Sequence, residues 1–140
     1  MEEVAYRTPN GLHDAYLLKL SVDYRERILR LELNWWIGTL EGKTEEEREG
    51  YQEAPLIVRG LEYLVIEAPA GSGRYSGYAE PSYVDGFVTR PEDILRMNLP
   101  TIPEAGFRYS IFVGEWNSFI HFAGHSAEIP DNLIVREMRA

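Results

Sequence analysis

Apolar side chains recur at every second position over much of this chain. Leu18, Leu20, Val22 and Tyr24 share one parity, while Lys19, Ser21 and Asp23 take the other. Successive side chains of a strand point to opposite faces, so residues 12–24 predict a half-buried strand. Leu29, Leu31, Leu33, Trp35 and Ile37 alternate with Arg30, Glu32 and Asn34 and predict a second, stronger one. The polar link Arg25, Glu26, Arg27 is short enough to join the two as an antiparallel hairpin. Residues 56–58 and 61–67 read as one long strand with a bulge at Gly60. Phe107, Tyr109, Ile111 and Val113 alternate with Arg108 and Ser110. After a turn at residues 114–118, residues 119–126 complete a second hairpin. Ile134 and Val135 make residues 133–138 a last edge strand rather than a helix.

Between these segments the pattern breaks. Residues 43–50 carry Glu45, Glu46, Glu47 and Glu49 and predict a solvated loop or a short polar helix. Thr89 followed by Glu92 resembles a capping box, and Pro91 suits a first helical turn, so a helix over 91–97 is expected. Pro100 and Pro103 prevent its continuation. Residues 68–88, rich in Gly, Ser and Tyr, read as a long loop. The expected architecture is all-β and mostly antiparallel. It is a sandwich or partly open barrel of five to six strands with one short helix. The 140 residues suit a single globular domain spanning 1–140.

Composition narrows the function more than it defines it. Lys plus Arg number 14 against 23 Asp plus Glu, a formal charge of -9. Nucleic-acid binding needs concentrated positive charge, so no nucleic-acid partner is expected. Such charge favours solubility and steers toward a basic partner. Cysteine is absent, which excludes disulfides, thiolate catalysis and sulfur-ligated zinc. The acidic opening Met1, Glu2, Glu3, Val4 does not read as a signal peptide, and no apolar run approaches the ~20 residues of a membrane span. A cytoplasmic protein without a membrane partner is expected.

His13 and Asp14 are the first candidates for chemistry, as a general base or metal ligands. Within a strand the two would point to opposite faces, so they converge only if the strand has not yet begun. His121 and His125 are spaced H-x-x-x-H, but four strand residues span roughly 13 Å, too far for one zinc. His121 shares a face with Phe119 and Ala123, which makes a core or rim histidine the default. No nucleophile elbow, phosphate loop, dinucleotide fingerprint or H-E-x-x-H occurs, so no cofactor and no catalytic residue is expected. Arg74, Tyr75, Tyr78 and Tyr83 lie in or beside the Gly-rich stretch, and Trp116 lies in a turn. Such residues suit protein or sugar contacts, and they equally suit rings folded back over the open end of a sandwich.

The opening Gly11, Leu12, His13, Asp14, Ala15, followed by the two alternating strands, resembles the immunity protein 50-like family of polymorphic toxin systems. The resemblance covers residues 11–33. It implies a compact bacterial β-rich protein that neutralises a cognate toxin, and it carries over no catalytic residue. Acidity would suit a nuclease-type toxin with a basic active site, by analogy. The first expectation is therefore a non-catalytic binding protein of immunity or accessory type, engaging another protein through the aromatic loop. One alternative is a metal-dependent enzyme or metal-binding domain using His13, Asp14, His121 and His125. Another is a self-associating β domain, with a homodimer among its possible states.

Overall fold

The alternating segments pair as antiparallel strands in a single eight-stranded sheet. The computed structural model describes residues 11–69 and 82–129. Its strands are β1 (Ala15–Asp23), β2 (Ile28–Trp36), β3 (Tyr51–Arg59), β4 (Tyr63–Ile66), β5 (Ser82–Val88), β6 (Phe107–Val113), β7 (Ser118–Gly124) and β8 (Ser126–Glu128). Two short helices, α1 (Glu45–Arg48) and α2 (Pro91–Met97), complete the elements among the described residues.

The sheet order is β4-β7-β6-β5-β1-β2-β3-β8. Its two edge strands continue inner ones: β3 turns through Gly60 toward β4, and β7 passes through His125 into β8. β3 pairs with β8 and β4 with β7, so two bent chain segments run alongside each other. At the bend the His125 N–H donates to the Arg59 carbonyl at 2.9 Å, and the Glu62 N–H donates to the Ala123 carbonyl at 2.7 Å. The sheet thereby coils on itself as a partly open barrel.

One parity of each strand fills the interior. Leu29, Leu31, Leu33 and Trp35 of β2 meet Leu56 and Val58 of β3, Ile111 and Val113 of β6, and Ile120 and Phe122 of β7. Each such side chain contributes roughly 1.5–3 kcal/mol on full burial. The Trp35 indole N–H donates to the Ala54 carbonyl at 3.0 Å, which satisfies its one polar atom inside the core.

Several elements differ from the sequence expectation, each for a physical reason. β1 contains a register slip between Leu17 and Lys19. Leu17 packs against the core, Leu18 turns outward at 39% exposure, and Leu20 and Val22 return inward. Tyr24 leaves the strand for the turn and is 90% exposed. The described residues alone form eight strands where five or six were expected. Gly60 divides the long strand in two, β5 occupies the end of the expected 68–88 loop, and β8 follows the bend at His125. Thr89 does not cap α2: its hydroxyl bonds Ser110 Oγ at 2.7 Å, and Arg90 takes the N-cap position without a side-chain bond. The Glu-rich segment does form a helical turn, α1, capped by Thr44 Oγ1 accepting from the Glu47 N–H. The expected strand at 133–138 lies outside the described residues.

The bend depends on Gly60, whose φ of 64° lies in the left-handed region. A Cβ there would stand 2.7 Å from His125 Cβ. Gly60→Ala should lower unfolding free energy by about 1–3 kcal/mol. Urea unfolding measures this, and an unchanged midpoint would show that the bend tolerates a side chain.

Candidate functional site

The outward parity of β6 and β7 is buried too, because α2 lies over it. Tyr63, Leu99 and Ala123, with Val65, Ile94, Met97 and Ile102, form a second apolar cluster there. A polar chain runs beside it. His121 is fully buried, with Nε2 2.6 Å from Glu67 Oε2 and Nδ1 2.7 Å from Ser110 Oγ. A carboxylate only accepts, so Nε2–H donates to Glu67. Ser110 Oγ also meets Thr89 Oγ1. In a neutral imidazole the donors run one way, from Thr89 through Ser110 to Nδ1. Arg96 bonds both Glu67 oxygens at 3.0 Å and reaches Asp93 at 3.0 Å, while Arg90 bonds Asp93 at 2.9 Å. The Phe119 ring stacks on His121 with centroids 5.7 Å apart, and both guanidinium groups lie over Phe119.

Ser110, His121 and Glu67 mimic the connectivity of a hydrolytic triad. Burial argues against that chemistry. Ser110 has no exposed surface, and its oxygen is held between Thr89 and His121. A nucleophile must reach a substrate. The chain instead fastens α2 to the sheet, since every polar atom it buries is paired.

This fastening depends on pH. The hydrogen bond from Arg96, with that from His121, holds the Glu67 carboxyl below its ordinary 4.5 despite burial. Burial works to raise Asp93, but hydrogen bonds from Arg90 and Arg96 outweigh it and leave Asp93 below its ordinary 3.8. A depressed folded value stabilises above the unfolded value and is lost as pH falls through the folded one. Stability should therefore decline progressively below pH 4.5. Glu67→Gln should flatten that decline in pH-dependent denaturant melts, and an identical slope in the variant would remove Glu67 from the cause. His121→Ala should cost about 2–4 kcal/mol, whereas exposed His125→Ala should cost under ~0.5. Equal losses in the two variants would contradict the buried chain.

The outer face of β5, β1, β2 and β3 has a different character. Ala15, Val84, Trp35 and Ala54 point inward, so Tyr16, Tyr83, Asp85, Trp36 and Tyr51 point outward. Tyr16 pairs directly with Tyr83 across the strands, and their rings lie 4.1 Å apart. Tyr51 closes the row, 5.3 Å from Tyr16. Its hydroxyl donates to the Asp14 carbonyl at 3.1 Å. Burial, then the neighbouring Tyr83, Tyr16 and Asp14, push the Tyr51 phenol well above its ordinary value, so it stays a neutral donor.

His13 and Asp14 sit at one end of this row, in a turn before β1. Gly11 and Asp14 both adopt positive φ, 56° and 54°. Because the strand has not begun, the two side chains converge. His13 Nδ1 lies 2.7 Å from Asp85 Oδ1, and Nε2 lies 3.3 Å from Asp14 Oδ2. The Asp14 N–H donates to the same Asp85 oxygen at 3.3 Å. Buried Leu12 anchors the turn in the core, and Trp36 sets an edge against the His13 ring at 5.9 Å.

The four residues named for a metal or polar site thus occupy three places. His13 and Asp14 share a cluster with Asp85, His121 is enclosed under α2, and His125 is exposed at the β7–β8 bend. Tyr83 belongs to the aromatic row, and Trp116 is half-buried against the core. Arg74, Tyr75 and Tyr78 lie outside the described residues. Sequence reasoning missed Asp85, Tyr16 and Tyr51. Tyr16 shares the sequence parity of Leu18 and Leu20 and so reads as a core position until the slip in β1 is known, and Tyr51 lies ahead of the strand expected from residue 56, so neither carried a signal. Comparison with protein families, with curated proteins and with solved structures returns no match.

Proposed function

We propose that this is a non-catalytic binding protein that engages another protein through the outer face of β5, β1, β2 and β3. The observation that supports the reading is the row Tyr51, Tyr16, Tyr83 beside the half-exposed carboxylates of Asp14 and Asp85. Adjoining tilted phenol rings offer large rigid contact area and faces for cations. Carboxylates at their border take the hydrogen bonds of a guanidinium or ammonium group. The charge of -9 draws such a partner in from solution. A protein presenting Arg or Lys on its contact surface is therefore the partner class. An immunity protein acting in the cytoplasm on a toxin with a basic active site is one form of this reading, and rests on the resemblance of residues 11–33.

Affinity capture at physiological salt with wild type and the double variant Tyr16→Ala, Tyr83→Ala tests it. A basic protein should be retained by wild type and bound at least about thirtyfold more weakly by the variant, as for loss of an interface hot spot. Equal affinity of the two baits, with matching circular dichroism, would take this face out of the binding surface.

A further inference from the structure

We propose that His13, Asp14 and Asp85 form a binding site for a first-row divalent transition-metal ion, with zinc and manganese as the probes. The site does not depend on the binding-protein reading. One imidazole nitrogen and one oxygen from each carboxylate lie within 4.8 Å of one another. Ligand bonds of about 2.0–2.2 Å place the donors of a tetrahedral ion roughly 3.3–3.6 Å apart, a short contraction from the present spacing. An imidazole with two carboxylates suits zinc, manganese or iron(II), and the nitrogen donor disfavours calcium and magnesium. Two carboxylate charges balance the ion. Three protein ligands leave at least one coordination position for water or for a donor from a bound molecule.

The fold builds this arrangement from two distant segments. Asp85 is fixed on β5 by pairing with Phe112 of β6. His13 and Asp14 are carried to it by the turn whose buried Leu12 is locked in the core. Trp36 limits the His13 ring from one side. Side chains at the site are 48–62% exposed, so an ion enters directly from solvent.

The experiment is isothermal titration of the untagged full-length chain with zinc in chelator-free buffer, on wild type, His13→Ala, Asp85→Asn and His125→Ala. One zinc per chain is expected. Affinity should fall by at least about tenfold in His13→Ala and Asp85→Asn and stay unchanged in His125→Ala. Manganese added to labelled wild type should broaden the amide signals of residues 12–15 and 84–86 first, which keeps the test valid should a variant unfold. Absence of saturable zinc binding would overturn the proposal. So would binding that both ligand variants leave intact, or manganese broadening centred elsewhere.

Discussion

The two hydrogen bonds of His121, one donated to Glu67 and one accepted from Ser110, decide how this sheet is covered. β7 is buried on both faces, with Ile120 and Phe122 inside the barrel and Phe119, His121 and Ala123 toward α2. A strand buried on both sides usually carries apolar residues throughout. A histidine there is tolerable only with both nitrogens paired, since an unpaired buried polar group costs about 1–3 kcal/mol. Glu67 and Ser110 supply those partners, and Arg96 and Asp93 extend the pairing into α2. Seven helical residues would be marginal alone. Docked through Arg90, Asp93 and Arg96 as well as Ile94, they have a defined place.

With α2 over the outer face of β6 and β7, the outer face of β5, β1, β2 and β3 is left nearer to solvent. The loop through α1 reaches over Trp36, whose indole N–H donates to the Arg48 carbonyl at 2.7 Å. Tyr16, Tyr51 and Tyr83 remain beside it with His13, Asp14 and Asp85. The chain thus separates two kinds of polar chemistry. The set around His121 is saturated by its own partners. The set around His13 faces water, its side chains about half exposed.

Much of the fold was legible because alternation survives wherever a strand has one buried face. β2 and β6 send the expected apolar parity inward, although Trp36 and Ser110 on their other faces are buried by covering segments as well. The slip in β1 was not legible, because Leu17 and Leu18 are both apolar and either can take the inward position. Thr89 reads locally as a cap, but its hydroxyl is claimed by Ser110, 21 residues away. A long-range partner of that kind leaves no periodic mark. The same holds for the site. His13 and Asp14 were visible as neighbours, and their convergence followed from lying in a turn. Asp85 is one of 23 acidic residues. Only the pairing of β1 with β5 brings it to His13, 72 positions away.

The fold divides the three histidines: His13 is exposed at the proposed cation site, His121 is sealed inside, and His125 is exposed at a bend. Diethyl pyrocarbonate footprinting of the native chain, read by mass spectrometry, tests it most directly. His13 and His125 should label, with zinc suppressing His13 alone, while His121 should stay unmodified until the chain unfolds. Labelling of His121 as fast as His125 in the native protein, or a His13 that stays unlabelled without metal, would contradict that division.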